Sequence, residues 1–375
     1  MKILLSQNNL ITCLSKIQTA VQSKTGSLPI LQNFLIEAKK DFIKFVATDL
    51  EIAIKHTYRG DFKIITEGGI TIPFKKLYDI ILSIDKDSEI TISTEDDKVL
   101  VQSGKMKVKI TGLPVSDYPA IPTINEKESF RINSFSILDM IEKTIFSVST
   151  DDKNTVLNGL LWKKEKNNFT IAATDGRRLA VISKDIKEGI KKDFKVVIPS
   201  RILEDISHFI KANCEEKDDI LVDISTNQIG FKIKDTEFIS RFIDGNFPSY
   251  ETIIPKSFES SAKINIEKLL ASTKRAVICE GDLKTGFVKY IFKKDVLIIT
   301  SSSQSVYFED EIDCEFSGDS KEFTVVYNPR FIIDILKNVD SKNIEFNFTG
   351  ATTPTMMKID KNPNLIYMVM PLKSY

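Results

Sequence analysis

The sequence predicts an α+β protein built from three copies of one unit, each with two helices packed on antiparallel sheets. Three recurring patterns carry this. "VATDLEIAI" (46–54), "AATDGRRLAVI" (172–182) and "IITSSSQSVYF" (298–308) place Thr48, Thr174 and Thr300 at 126-residue intervals. "ITIPFKKLYDIILSI" (70–84), "VVIPSRILEDISHFI" (196–210) and "VVYNPRFIIDILKNV" (325–339) each read strand, proline, amphipathic helix, with Pro73, Pro199 and Pro329 spaced 126 and 130 apart. "MKILLSQNNLITCLSKIQTAV" (1–21), "SFRINSFSILDMIEKTIFSV" (129–148) and "SAKINIEKLLASTKRAVI" (261–278) each read short strand, polar break, helix. A repeat of this size is the first thing to look for, because missing it misassigns the fold.

The elements follow in order. Ile3, Ile132 and Ile264 mark the opening strand of each copy. Helices are expected at 9–24, 74–84, 135–148, 200–211, 265–278 and 329–338. Proline fits the first helical turn, where its missing N–H costs nothing. "DYPAI" and "NFPSY" form a later pair, with Pro119 and Pro248 129 apart. The polar links "PTINEKE" (122–128) and "TIIPKSFESS" (252–261) then divide the chain at 1–124, 125–253 and 254–375. "ATDGRRLAV" reads as a hairpin turn, since Asp-Gly tolerates positive φ. Arg177 and Arg178 belong to the middle copy alone, so any function there is asymmetric.

The chain has 375 residues, more than one core usually organises, and 42% of them are hydrophobic. Lys+Arg and Asp+Glu are both 52, which argues against a generally basic nucleic-acid binder and leaves local patches open. Cys13, Cys214, Cys279 and Cys314 lie far apart with no C-x-x-C, a pattern of free thiols. No run approaches the ~18 apolar residues of a membrane span, and a cytoplasmic location is expected.

No catalytic set emerges. G-x-G-x-x-G and G-x-x-x-x-G-K-[ST] are both missing, and His56 and His208 are not spaced for a metal. No catalytic residue, metal or cofactor is expected, and Asp151, Asp152 and Asp175 are the only acids worth weighing for an enzyme. Charge is uneven, however. The six expected helices carry 12 basic and 7 acidic side chains, an excess of five, which suits helices that meet a polyanion; a solvated helix face explains it as well. In "KMKVKI", Lys105, Lys107 and Lys109 alternate with Met106, Val108 and Ile110. "EDEID" puts Glu309, Glu311 and Asp313 on one face. A lysine edge meeting an acidic edge would join two subunits, with Val108 and Ile110 opposite Ile278; two unrelated surface strands are the other reading.

Six short segments, in this order, resemble the bacterial DNA polymerase III β subunit, the sliding clamp: "LPIL" (28–31), "ATDLE" (47–51), "LNG" (157–159), "ATDGRRLA" (173–180), "DGNFPSY" (244–250) and "YMVMPLK" (367–373). The resemblance runs end to end. It implies three clamp domains per chain and a head-to-tail homodimeric ring that encircles duplex DNA without reading its sequence. It implies a non-catalytic processivity factor. Lys24, Lys75, Lys76, Lys153 and Arg201 match or neighbour the family's DNA-facing positions. Thr155 and Val156 stand where better-known members have an aromatic pair.

The resemblance also implies a groove for short Q-L-x-L-F-like motifs of the polymerase III α subunit, the clamp loader δ subunit, other polymerases and repair proteins. By motif it takes in Leu157, Thr174, Gly176, Arg177, Arg178, Leu179, Pro248, Ile253, Asn328, Pro354, Met368, Val369, Met370, Pro371 and Leu372. Arg178 is expected at its rim. A monomeric three-domain polyanion- or peptide-binding scaffold that does not encircle DNA is the alternative.

Overall fold

The computed structural model describes residues 1–375 except 22–27, 96, 127–128, 152–154, 187–192, 281–285, 319, 361 and 373–375. The first repeat runs β1 (Lys2–Ser6), α1 (Gln7–Ile17), β2 (Asn33–Lys39), β3 (Phe42–Thr48), β4 (Ile52–Tyr58), β5 (Lys63–Thr66), β6 (Gly68–Pro73), α2 (Phe74–Leu82), β7 (Glu89–Glu95), β8 (Lys98–Ser103) and β9 (Met106–Thr111). The second runs β10 (Phe130–Asn133), α3 (Ser134–Ile145), β11 (Gly159–Glu165), β12 (Asn168–Thr174), β13 (Arg178–Asp185), β14 (Phe194–Pro199), α4 (Ser200–Asn213), β15 (Asp219–Ile224), β16 (Gln228–Ile233) and β17 (Thr236–Arg241). The third runs β18 (Ser260–Asn265), α5 (Ile266–Glu280), β19 (Val288–Lys293), β20 (Val296–Ser302), β21 (Tyr307–Gly318), β22 (Glu322–Tyr327), α6 (Pro329–Lys337), β23 (Asn343–Phe348), β24 (Thr355–Ile359) and β25 (Asn362–Val369). Each copy is a strand–helix–three-strand half written twice, and β5 is an addition to the first.

Two compact units result, and they cut the middle repeat. One unit, Met1–Ser136 with Arg201–Phe242, holds a five-stranded sheet, β5-β1-β7-β8-β9, and an eight-stranded sheet, β10-β15-β16-β17-β4-β3-β2-β6. The other, Ile137–Ser200 with Ile243–Tyr375, holds one twelve-stranded sheet, β14-β11-β12-β13-β25-β24-β23-β18-β21-β20-β19-β22. All the pairings are antiparallel, and inward residues alternate with outward ones. In β7, for example, Ile90 and Ile92 are fully buried between exposed or half-buried neighbours.

Helices start where the sequence supplies a cap. Ser6 accepts from Asn9 N at 3.2 Å at the head of α1, and Asn328 accepts from Arg330 N at 3.0 Å at the head of α6. The helix α6 buries Phe331, Ile332, Ile335 and Leu336 against the sheet, each worth about 1.5–3 kcal/mol over exposure. Only Pro329 is a first helical residue. Pro73 and Pro199 end the preceding strands, where they leave the ladder before the helix begins.

Several expectations need correcting. The first helix stops at Ile17 in a tight turn over Gln18–Ala20, well short of residue 24. With Lys24 outside the described residues and Glu280 inside α5, the six described helices carry 11 basic and 8 acidic residues, against the 12 and 7 expected, an excess of three. Lys105 is in the turn before β9 and does not alternate with Lys107 and Lys109. The third threonine is out of register. Thr48 pairs with Ala53 and Thr174 with Leu179, but the equivalent pair in the third copy is Ser302 with Tyr307, two residues beyond Thr300.

His56, on β4, is 3% exposed, with Nδ1 2.9 Å from Thr236 Oγ1. Burial, then the nearby Lys16 charge, lowers its pKa to about 4. The unfolded chain titrates near 6.5, so the unfolded state takes up this proton first as pH falls. Stability from this group is therefore fully present above about pH 6.5 and is lost as pH drops through about 4, by up to roughly 3 kcal/mol. Denaturant midpoints measured from pH 7 to 4 are expected to fall, and His56→Gln is expected to flatten that fall. Parallel curves for the two proteins would place the pH dependence elsewhere.

Candidate peptide-binding site

The stretch "ATDGRRLAV" is the hairpin between β12 and β13. Thr174 Oγ1 donates to Arg178 O at 2.6 Å and accepts from Gly176 N at 3.1 Å. Asp175 Oδ1 accepts from the backbone N of Arg177 at 2.9 Å and of Arg178 at 3.0 Å. The first repeat builds the same turn bond for bond, from Thr48 to Ile52 O and from Glu51 N and Ile52 N to Asp49. Its positive-φ position is Leu50 at 77°, whereas the middle copy uses Gly176 at 84°, which suits the left-handed region. Asp175 is thereby fully employed in the turn, and Asp151 lines the depression beside it.

Arg178 does not reach the rim. Its side chain is 5% exposed and is held from every direction. Nε donates to Asp175 Oδ2 at 3.0 Å, Nη1 to Asp334 Oδ2 of α6 at 2.7 Å, and Nη2 to Phe146 O beyond α3. The guanidinium also lies over the rings of Phe331 (4.8 Å) and Phe146 (5.7 Å). Each guanidinium nitrogen thus has a partner inside the protein, and Arg178 locks the turn to α6. Arg177 is the exposed arginine of the pair. It borders an open depression with Ser149, Thr150, Asn328, Arg330 and Phe331.

Beside this lock lies an apolar bed. Leu161, Ala172, Leu179, Val181, Val197, Phe247, Tyr250, Met356 and Met368 form one buried cluster, with Val156, Ile243, Ile254, Phe258 and Ile366 packed against it. The first repeat has a smaller version from Leu35, Val46 and Tyr118, with Ile30 packed on it. These stand at the positions of Leu161, Ala172, Phe247 and Val156. The larger bed exists because β25 pairs with β13, bringing Met368 opposite Leu179 and Val369 opposite Arg178. Val156, half of the Thr155–Val156 pair singled out by the resemblance, packs inward against this bed. A Cβ on Gly245 (φ 128°) would come within 2.4 Å of its Cγ2, so this close approach requires glycine.

The expected groove residues therefore divide. Leu157, Thr174, Arg178, Leu179, Met368 and Val369 are buried. Asn328, Pro354 and Pro371 are half-buried, and Gly176, Arg177 and Pro248 are exposed. Ile253, Met370 and Leu372 are 50%, 40% and 37% exposed. The tail is tied down by Met370 N to Arg177 O and Leu372 N to Val326 O, both 2.8 Å. Exposed apolar side chains flanking a buried apolar cluster in the sequence, as Met370 does Met368 and Pro248 does Phe247, are chemistry for Leu and Phe anchors, with methionine adapting to their shape. Asp334, Phe146 and Phe331 were missed. Asp334 had a signal: a basic residue and an acid four positions on recur in the second helix of each copy, as Lys75 and Asp79, Arg201 and Asp205, Arg330 and Asp334.

Of the basic positions, Lys75 and Lys76 project from the first turn of α2. Arg201 is exposed but engaged, with Nη1 2.6 Å from Asp49 Oδ2 and Nη2 on Thr19 O. Lys24, Lys153 and Asp152 lie outside the described residues. At the edges, Lys107 and Lys109 on β9 and Glu309 and Glu311 on β21 are exposed; Val108 is half-buried, Ile110 is 6% exposed and Ile278 78%. Among the described residues no group of three His, Cys, Asp or Glu could hold a metal, and no helix is long and apolar enough to cross a membrane. All four cysteines are free, and burial pushes the Cys13 and Cys314 thiols up to about 12.

Residues 1–122 match the family model for the DNA polymerase III beta subunit, N-terminal domain, residues 131–249 that for the central domain and residues 251–373 that for the C-terminal domain. The chain belongs to the DNA polymerase III beta subunit family. Among the members it resembles, the beta sliding clamps of Bacillus subtilis and Haemophilus influenzae are 26% and 28% identical, each over the full length of both chains. The crystal structure of the Bacillus subtilis DNA polymerase sliding clamp superposes on all of this chain with a TM-score of 0.93 at 26% identity. The α+β architecture of repeated sheets and six helices is that of this family.

Proposed function

We propose that this DNA polymerase III beta subunit family member acts as a sliding clamp: a head-to-tail homodimeric ring around duplex DNA that tethers the replicative polymerase. The observation that carries this is the likeness to beta sliding clamps over the whole length of both chains. The three domains are taken as 1–124, 125–253 and 254–375, and the site of action as the cytoplasm. Its role is non-catalytic. DNA contact runs through Lys24, Lys75, Lys76, Lys153 and Arg201 to phosphates, so it carries no sequence information. A helix excess of only three charges keeps that contact weak, as sliding requires. The strip of Pro248, Ile253, Met370 and Leu372 takes Q-L-x-L-F-like motifs of the polymerase III α subunit, the clamp loader δ subunit, other polymerases and repair proteins.

Topology gives the test. Loaded onto nicked circular DNA, the protein is expected to stay bound through moderate salt and to leave once the circle is cut. Equal loss from circular and linear DNA would instead support the monomeric scaffold.

A further inference from the structure

The first and middle copies spend their arginines differently. In the first copy the turn aspartate, Asp49, is taken by the helix arginine Arg201, whose Nη1 lies 2.6 Å from Asp49 Oδ2. In the middle copy the turn aspartate, Asp175, is taken by Arg178 at the start of β13. Arg178 also takes Asp334 Oδ2 at 2.7 Å. The helix arginine there, Arg330, is left with its Nε 3.8 Å from that same oxygen, beyond hydrogen-bond reach, and half its side chain is exposed. The next turn position differs too. It is Glu51 in the first copy and the exposed Arg177 in the middle one. Among the described residues no side-chain hydrogen bond is made by Arg177 or Arg330. Both border the open depression of about 440 Å³, with Ser149, Thr150, Asp151 and Asn328. The depression adjoins Met370, whose backbone N donates to Arg177 O at 2.8 Å.

We infer that this depression binds the carboxylate of an aspartate or glutamate carried beside the Leu and Phe anchors of a docked peptide. This rests on the peptide-binding reading above and deepens it by naming a charged determinant that apolar side chains cannot supply. A guanidinium suits the task, because its planar edge can donate two parallel N–H bonds to one carboxylate. The gain is limited in two ways. Both arginines are exposed, and Asp151 on the same wall competes with an incoming carboxylate. A peptide is favoured over a DNA phosphate because the tie between Met370 and Arg177 puts an apolar contact and a cationic one within reach of one short segment. The first copy offers no such pair. Its turn carries Glu51, its helix arginine is engaged with Asp49, and its apolar bed is smaller.

Calorimetry on the full chain tests it, with peptides built on Q-L-x-L-F that carry Asp or Asn in turn before the motif, at x and after it. At one of these positions Asp is expected to bind on the order of fivefold more tightly than Asn. That ratio is expected to shrink toward one in about 1 M salt. Arg330→Gln is expected to remove most of it, and Arg330→Glu to favour a lysine at that position over Asp. Asp151→Asn is expected to raise it. Each value is a ratio within one protein, so a general loss of affinity cancels. Equal affinity for Asp and Asn at all three positions, or a ratio indifferent to Arg330, would overturn the inference and leave the peptide site in place. Failure of every peptide to bind, the Asn forms included, would overturn the peptide-binding reading itself. Weaker retention of Arg330→Gln on circular DNA, with the Asp-to-Asn ratio unchanged, would assign the depression to phosphate instead.

Discussion

Replacing Arg178 with alanine is expected to destabilise the unit that contains it by about 3 kcal/mol. Removing one member of a buried, hydrogen-bonded charge cluster costs about 3–5 kcal/mol, because the partners left behind lose their counter-charge. Here Asp175 and Asp334 retain 17% and 25% of their side-chain exposure, so water recovers part of the loss and the lower end applies. Phe146 O also loses its donor, and the Phe331 ring loses the cation above it. Arg178→Lys is expected to recover only part, since an ammonium cannot bridge two carboxylates and a carbonyl with a planar fork. Denaturant unfolding followed through Trp162, in the same unit, would read this. A midpoint unchanged in Arg178→Ala would mean that the turn and α6 are held together by packing alone.

Substitution of Met370 by lysine is expected to lower affinity for a Q-L-x-L-F peptide more than a hundredfold while barely changing stability. Leu and Phe anchors burying about 300 Å² of apolar surface gain roughly 7 kcal/mol at ~25 cal/mol/Å², before ordering costs. Affinity no tighter than about 10 μM follows from this gain alone, and a charged amine among the anchors removes much of it. The side chain is 40% exposed and the backbone bond to Arg177 O does not depend on it, so the fold is expected to tolerate the change. Calorimetry with the peptide on both proteins decides. Equal binding would put the site elsewhere. Leu179 and Met368, at 2% exposure each, are poor choices for this experiment, since changing them disturbs the bed rather than the contact surface.

What could be read from the sequence was what neighbouring residues decide. The order of strands and helices was legible because amphipathic runs, prolines and polar breaks are local signals. The end of α1 was not, because neither glycine nor proline follows Ile17 and the apolar spacing continues past it. The third hairpin was misregistered because "SSSQS" lacks the Asp-Gly code that pins the middle turn, so two extra residues left no mark. The lock around Arg178 was hidden for a different reason. Asp334 lies 156 positions away, and no rule of spacing says that a guanidinium next to a turn will be consumed by a distant helix.

The pairing of β13 with β25 also sets a timetable for synthesis. Leu179 leaves the ribosome roughly 190 residues before its partner Met368. At about 5–20 residues per second the growing chain must carry an open sheet edge for about 10–40 seconds before its last strand arrives to close it. A chain broken off anywhere before that strand therefore lacks the bed on which Met370 and Leu372 rest. Partners that dock there would engage only chains in which β25 is already in place.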